Sequence, residues 1–236
     1  MLGWAWFFIK PTVYVFCFWF AIDIGLRASH ADPNGAPFVL WLTAGIIPWF
    51  FMRDMLNGGI DVYHRYSYLV TKVKFPLCGI TSVFELSTLL LQLMYQVVLI
   101  AIYFLCGQPF DLCILQVPVI LALMYVFWYF FSILMSPVCA FSRDVRNMMS
   151  SLSTPFFWLS GVIFQIHNID IEWVQTALYF NPITFFVTAF RDAVYYRTWV
   201  WDDPMLLIGF AIVFVITAVL GLIVYRRTNK EVSDVL

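Results

Sequence analysis

The chain has 236 residues, of which 63% are hydrophobic, 20% aromatic and only 11% charged, with a net charge of −1. A soluble domain carries roughly 25% charged residues, so the composition excludes a water-soluble globular protein and points to lipid as the main solvent. The near-zero charge also argues against nucleic acid as a partner, because nucleic-acid binding needs a strongly basic surface.

Six segments along the chain are long and apolar enough to cross a bilayer, which takes about 20 residues at roughly 1.5 Å each. They lie at residues 4–26, 37–56, 83–105, 112–135, 148–165 and 205–225. Turn-forming sequences such as HADPNGAP, GQPFD and WDDP separate them. The sequence therefore predicts an all-α integral membrane protein in which residues 1–236 form one transmembrane domain.

A seventh apolar stretch, residues 181–190, is too short to span and predicts short re-entrant helices on the outer side, between spans five and six. Orientation gives an independent test of the span count. With six spans and a cytoplasmic amino terminus, ten of the thirteen Lys and Arg residues lie inside, as the positive-inside rule requires. Both termini are therefore expected in the cytoplasm.

An Arg–Asp dipeptide occurs three times, at Arg53–Asp54, Arg143–Asp144 and Arg191–Asp192. Adjacent residues on a helix do not face each other, so each dipeptide is predicted to send its charges to separate partners. The first either snorkels to the inner surface or lines a pathway, and the second either sets topology or contacts a soluble partner. The third lies near the outer surface, where it ties the re-entrant segment to neighbouring loops or meets an anionic substrate.

Aromatic residues cluster in several spans, notably at residues 49–51 and 156–158. One interpretation is interfacial belts and helix packing, and the other is a passage on whose aromatic faces sugar rings stack. The chain has no GxxxxGK[ST] motif and no metal-ligand spacing, so no cofactor is expected in this chain. The cytoplasmic stretch at residues 57–76 is amphipathic, and either lies on the membrane or docks a motor subunit.

Five stretches in order resemble the membrane subunits of ABC-2 type exporters, specifically the permeases for polysaccharides and teichoic acids. They are LGWAWFFIKP (2–11), GIIPWFF (45–51), LVTKVKFP (69–76), SRDVRN (142–147) and NPITFFVTAFRDAVYY (181–196). The stretch TWVWDDP is closer to the teichoic acid branch than to the O-antigen branch. Family members usually carry further residues before the first stretch, so either the start lies upstream of Met1 or this member is shortened.

The resemblance implies a homodimer that works with two copies of a separate ABC ATPase subunit, with ATP and Mg bound by that partner. It implies a polymer on an undecaprenyl-diphosphate-type lipid, moved across the bacterial cytoplasmic membrane. Two alternatives stay open. One is an ABC-2 permease for a small molecule or lipid. The other is an intramembrane enzyme of lipid or glycan metabolism using Asp23, Glu85 or the Arg–Asp pairs, although the chain has few convergent polar groups for catalysis.

The candidate site residues form three groups. The candidates for coupling to the ATPase are Arg65, Ser67, Lys72, Lys74, Phe75, Arg143, Asp144 and Arg146. The candidates for the substrate path are Trp49, Phe50, Arg53, Phe156 and Phe157. The candidates for an outer gate are Asn181, Pro182, Arg191 and Asp192.

Overall fold

A computed structural model describes residues 5–25, 36–68 and 77–228 of the chain, and these residues contain helices and no strand. The helices, numbered in chain order, are α1 (Ala5–Trp19), α2 (Phe38–Asp54), α3 (Val62–Arg65), α4 (Leu77–Leu105), α5 (Gln116–Phe141), α6 (Arg143–Leu159), α7 (Glu172–Tyr179), α8 (Pro182–Arg191) and α9 (Pro204–Thr228). Turns of π-helix follow α1, α2 and α8, at Phe20–Gly25, Met55–Gly59 and Asp192–Tyr196. Single 3-10 turns lie at Leu112–Leu115, Ile166–Asn168 and Val200–Asp202.

Four helical segments in the described residues are long and apolar enough to cross a membrane: Phe38–Gly59, Leu77–Leu105, Leu112–Phe141 and Pro204–Arg227. They correspond to the second, third, fourth and sixth predicted spans. The first and fifth predicted segments are also helical, over residues 5–25 and in α6. An all-helical, multi-pass membrane protein is thereby confirmed.

The bundle is built around α2, in which fourteen of seventeen residues are buried. A helix that is apolar on every side belongs inside other helices, and the run from Phe38 to Met52 has this character. The outer helices α4 and α9 bury far less of their length and carry exposed apolar side chains such as Leu90, Val97 and Ile216. Those exposed faces suit hydrocarbon, so the lipid-facing surface of the bundle is apolar.

The fifth predicted span has different bounds in the structure. Residues 148–165 were expected to be helical, whereas α6 runs from Arg143 to Leu159. It begins earlier because the Ser142 hydroxyl accepts a hydrogen bond from the backbone N–H of Val145. It ends earlier because Gly161 adopts φ 74°, a conformation that terminates a right-handed helix. The third span also starts before its predicted position, at Leu77 and not at residue 83.

Helices α7 and α8 form a short helical pair before the last span. Eight of the ten residues of α8 are buried, and Phe185 stacks on Phe210 of α9 with ring centroids 3.9 Å apart. Gly209 lets the backbone of α9 approach Tyr179 at the end of α7, where a Cβ atom would collide with its carbonyl. Helix α8 is therefore packed into the bundle, whereas α7 contacts it mainly through its carboxyl-terminal end, where Leu178 is buried.

Candidate functional site

Helix α6 runs antiparallel beside α2, and contacts between the two segments are found at three levels. At the lower end, Arg146 Nη1 lies 2.9 Å from Asp61 Oδ1, just beyond α2. One level higher, the Ser150 hydroxyl donates to Asn57 Oδ1 at 2.9 Å. At the upper end, the turn after α6 meets the start of α2 through Arg191. Phe38–Gly59 has 22 residues, about 33 Å at 1.5 Å per residue, which matches a hydrocarbon core of about 30 Å.

Midway along these helices, α1, α2 and α6 enclose a cleft of about 280 Å³. Its lining, which we call the aromatic cleft, consists of Tyr14, Phe18, Trp49, Arg53, Ser153, Thr154, Phe157 and Trp158. The walls are mainly aromatic, with one cation and three hydroxyl groups, those of Tyr14, Ser153 and Thr154, among them. Such a lining can stack against a ring and at the same time hydrogen-bond to polar substituents on it.

The aromatic side chains that line the aromatic cleft pack against one another. Phe157, the one buried residue of α6, lies with its centroid 5.4 Å from Trp49 and 5.3 Å from Phe18. Tyr14 contacts Phe50 at 5.2 Å in an edge-to-face arrangement. Interlocked aromatic pairs of this kind fix ring orientation, so the cleft is preformed.

Arg53 and Asp54 form an ion pair with each other, 2.9 Å apart, which corrects the prediction that the dipeptide would serve two separate partners. The long Arg53 side chain turns back at the end of α2, where the backbone changes to π-helix at Met55. Its guanidinium carbon also lies 5.3 Å from the centre of the Phe50 ring. Both charged side chains are substantially exposed, at 42% and 37%, so this pair lies at the cleft's open edge and contributes little to stability.

Of the five residues predicted for a substrate path, the structure brings Trp49, Arg53 and Phe157 together in the aromatic cleft. Phe50 is buried behind them, and Phe156 is half-buried outside the lining. Tyr14 and the hydroxyl residues Ser153 and Thr154 of the cleft were not among the predicted residues. Their contribution follows from α6 lying against α1, which no periodicity within either helix reveals.

The coupling candidates that the structure describes lie near one end of the bundle. Arg143 and Asp144 are exposed at the start of α6, and the negative charge of Asp144 suits the first turn of a helix. Arg65 is exposed with its guanidinium carbon 5.2 Å from the Phe84 ring centre. Ser67 is half-buried, and Lys72, Lys74 and Phe75 lie outside the described residues. The Arg146–Asp61 pair joins the two chain segments that carry these candidates, and Asp61 was not predicted.

At the opposite end of the bundle, the Arg191 side chain is buried within the chain, with 3% of its surface exposed. Its guanidinium donates to the carbonyl oxygens of Gly161 at 2.6 Å, Phe164 at 3.3 Å and also Val162. It lies 3.5 Å from the centre of the Trp41 ring. We call this set of contacts the Arg191 junction. Of the two roles open for Arg191, the hydrogen bonds show that it ties its helix to neighbouring segments.

Burial of Arg191 is possible because its charge is compensated on several sides. Burial lowers the pKa of the guanidinium to about 9, which still leaves it charged at neutral pH. Gly45 of α2 provides the space, since a Cβ atom there would lie 3.0 Å from the guanidinium carbon and 3.1 Å from the carbonyl oxygen of Val162. The requirement for glycine at this position could not be recognised from the sequence.

The remaining outer candidates stand at the two ends of α8. Asn181 caps the helix, its Oδ1 accepting from the Ile183 N–H at 3.0 Å while its Nδ2 donates to the Ser160 hydroxyl at 2.8 Å. Pro182 occupies the first helical position, where its missing N–H costs nothing. Asp192 follows Arg191 and is half-buried. Burial, with the neighbouring acids Asp203 and Asp202, raises the pKa of Asp192 to about 7, although Arg191 and a hydrogen bond from Thr198 oppose the shift.

Comparison with known proteins agrees with this architecture. A family model described as ABC-2 type transporter matches residues 1–195. The O-antigen export system permease protein RfbA of Myxococcus xanthus is 23% identical over 231 residues, covering 96% of this chain and 85% of that protein. Two Klebsiella pneumoniae proteins of the same name are 21% and 20% identical over 243 residues, each covering all of this chain and 88% of the relative.

Proposed function

The chain belongs to the ABC-2 type transporter family, and on that premise we propose that it is the membrane-spanning permease subunit of an exporter for a lipid-linked polysaccharide. The polymer is of the teichoic acid or O-antigen type, carried on an undecaprenyl-diphosphate-type lipid. Two copies of the chain work with two copies of a separate ABC ATPase, which binds ATP and Mg. The site of action is the bacterial cytoplasmic membrane, and no nucleic acid takes part.

The proposed topology has six spans, with both termini in the cytoplasm. Besides the four segments whose length and composition suffice, it includes residues 5–25 and α6 with the turn that follows it. The support for α6 is that its contacts to the α2 segment extend from Asp61, which pairs with Arg146, to Trp49, whose ring contacts Phe157. Helices α7 and α8 are then re-entrant elements at the outer side, anchored by the Arg191 junction.

The observation that carries the proposal is that the aromatic cleft lies beside α6, a helix whose side chains are mostly not buried within a single copy of the chain. Only Phe157 of the seventeen residues of α6 is buried, and Asn147, Ser151 and Thr154 are exposed. Polar groups at membrane depth are unfavourable against lipid and belong against protein or a water-filled cavity. A second copy facing α6 would enclose a passage lined by these polar groups and by the rings of the aromatic cleft. Sugar rings could then slide along it without fixed hydrogen bonds.

The lower end supplies the proposed contact with the ATPase. The Arg146–Asp61 ion pair joins the two segments that carry the coupling candidates. One segment carries Arg65, Ser67, Lys72, Lys74 and Phe75, and the other carries Arg143, Asp144 and Arg146. A partner that binds either segment would therefore act on both. Through α6 it would also act on one wall of the aromatic cleft.

Cellular export of the polymer tests the assignment of the path. Replacing Trp49 by Leu removes a ring from the aromatic cleft and is expected to reduce surface polymer at unchanged amounts of membrane-inserted protein. Trp173→Leu is the matched control, because Trp173 is 75% exposed on α7, away from the cleft. Equal export by both variants would contradict the path, provided that both insert normally.

A double variant that removes two positive charges tests the proposed contact with the ATPase. We expect Arg143→Gln with Arg146→Gln to uncouple ATP hydrolysis from export in membranes that contain the ATPase. The double variant Arg226→Gln with Arg227→Gln removes the same charge from exposed positions at the end of α9 and serves as the control. If the first variant retains full coupling, the coupling assignment is wrong.

One observation favours a second function, a permease for a lipid. An apolar groove of about 760 Å³ lies between α4 and α5, with Leu93, Val97 and Leu121 in its walls and Gln96 at its base. A lipid cargo would use this groove and would not need the aromatic cleft. Loss of lipid transport on widening the groove, with polymer export unchanged, would favour this alternative.

A further inference from the structure

A second pocket, about 390 Å³ in volume, lies next to the Arg191 junction, and we call it the outer pocket. Its polar and charged lining comprises Gln165, His167, Thr188, Arg191, Asp192, Tyr196 and Thr198. Thr188 is one of only two residues of α8 that are not buried, and the other, Pro182, lies at the far end of the helix. The volume is at the small end of the roughly 300–1,000 Å³ range of small-ligand sites, so the outer pocket suits a single ring-sized ligand.

The walls of the outer pocket are fixed before any ligand arrives. The Tyr196 hydroxyl accepts hydrogen bonds from Trp41 Nε1 at 3.0 Å and from the Gln165 amide. Gln116, at the start of α5, donates to the Thr198 carbonyl at 3.0 Å and accepts from the Val200 N–H at 3.0 Å. These bonds hold the aromatic ring and the turn that carries Thr198 in place. A preformed site loses little conformational entropy on binding.

The charges around the outer pocket argue against an anionic ligand. Arg191 reaches the pocket wall, but its N–H groups are engaged by four backbone carbonyls and its face by the Trp41 ring. Asp192 is consequently not neutralised by its neighbour, and no cation lies within ion-pair distance of it in the described part of the chain. A carboxylate or phosphate would therefore meet an acidic group without a free cation to offset it.

A metal ion is equally disfavoured. Within residues 5–25, 36–68 and 77–228, no group of three His, Cys, Asp or Glu side chains is placed to hold one. Beside the engaged Arg191 guanidinium, the outer pocket offers one carboxyl, one amide, two threonine hydroxyls, an imidazole at the rim and the Tyr196 ring with its hydroxyl. This combination matches a neutral ring with several hydroxyl groups, which stacks on the aromatic face and exchanges hydrogen bonds with the others.

We propose that the outer pocket binds one neutral sugar residue, with Thr188 and Asp192 hydrogen-bonding to its hydroxyl groups and Tyr196 packing against its ring. The inference rests on the proposed function, because the sugar would be a residue of the exported polymer as it leaves the passage. It adds a second binding site, separate from the aromatic cleft and formed by α8 and the segments on either side of it. The half-protonated state expected of Asp192 near neutral pH suits this role, since a carboxyl group can then both donate and accept.

Binding is tested with the full chain in lipid nanodiscs, using methyl glycosides of glucose, mannose, galactose and rhamnose as probes. We expect saturation transfer from the protein to at least one glycoside, with an affinity in the millimolar range. Thr188→Val and Asp192→Asn, which alter a hydroxyl and a charge with little change of shape, should each weaken binding at least fivefold. Thr176→Val is the matched control, because Thr176 is exposed on α7 and its hydroxyl bonds only within that helix.

A measurement on the unmodified chain guards against variants that fail to fold. Added glycoside should slow hydrogen exchange at residues 165–168 and 188–198 and leave residues 150–158 unchanged. The inference is overturned if no glycoside binds, if both pocket variants bind like the control, or if protection appears only at residues 150–158. Its failure is distinct from failure of the proposed function, because Trp49→Leu would still reduce polymer export if only the outer pocket were misassigned.

Discussion

Replacing Arg191 by Met should destabilise the outer end of the bundle more than any change of a single exposed charge. The side chain of Met fills similar space but leaves the carbonyls of Gly161, Val162 and Phe164 without their charged donor. A hydrogen bond to a charged group contributes about 1.5–3 kcal/mol, and a desolvated cation–π contact contributes up to about 2 kcal/mol. Relief from burying a guanidinium offsets part of this sum, so we expect a net loss of about 3 kcal/mol.

Thermal unfolding of the purified protein in detergent measures the effect. A loss of about 3 kcal/mol corresponds to a fall in Tm of about 6–12 °C for a chain of this size. Arg143→Met is the matched control, because Arg143 is exposed at the start of α6, and its Tm should stay within about 2 °C of the unaltered protein. Arg191→Lys should fall between the two, since an ammonium group keeps the charge but cannot span the same carbonyls.

A double variant tests the physical reasoning. Gly45→Ala should also lower Tm, because the added methyl group would lie 3.0 Å from the Arg191 guanidinium carbon. In the Arg191→Met background most of that cost should vanish, since the flexible Met side chain can move aside. Fully additive losses, or an Arg191→Met variant as stable as the Arg143→Met control, would refute the account of the Arg191 junction.

Three further outcomes are expected. The first concerns pH. Burial and Asp203 raise the pKa of Asp192 to about 7 from an ordinary value of about 3.9, so the folded state binds this proton more tightly than the unfolded state. The free energy of unfolding should therefore fall as pH rises from about 4 to 7. Asp192→Asn should flatten that dependence of Tm on pH, and an unchanged slope would show that another group is responsible. A double-mutant cycle on Arg146 and Asp61 should give a coupling energy of at most about 1 kcal/mol, because both side chains are 28% exposed. A larger coupling energy would mean that the pair is shielded from water. Asn181→Ala should cost about 1–2 kcal/mol in chemical unfolding through loss of the helix cap, and a neutral result would contradict the assigned hydrogen bonds.

The sequence predicted those features that depend on local composition. The apolar runs identified every segment that the structure shows as a long helix, and the ten-residue stretch before Arg191 is the short helix α8. Bounds were less accurate where a cap or a glycine decides them, as at Ser142 and Gly161. These signals are single residues in a long apolar background, and hydropathy averages over them.

The candidate site was only partly accessible from the sequence, because its contacts join residues far apart in the chain. Trp49 and Phe157 were singled out as aromatic clusters, but Tyr14 joins them only because α1 packs against α2 and α6. The ion pair of Arg53 with Asp54 was missed because regular α-helix geometry was assumed, whereas the backbone changes to π-helix directly after Asp54. For Arg191 the sequence left two roles open, a tie to neighbouring loops or a contact with an anionic substrate, and only the fold shows the carbonyls that receive it.

The segments that contain α2 and α6 are joined near both ends, by the Arg146–Asp61 ion pair at one end and at the other by Arg191, which bonds to Val162 and Trp41, with a further hydrogen bond next to the ion pair. Two helices joined in this way move as one rigid unit, which resists bending and shear along its length. A displacement applied where Asp61 meets Arg146 would therefore be passed along α6 towards Gly161. Mechanical work done at one end of the bundle could thus reach the other without either helix having to unwind.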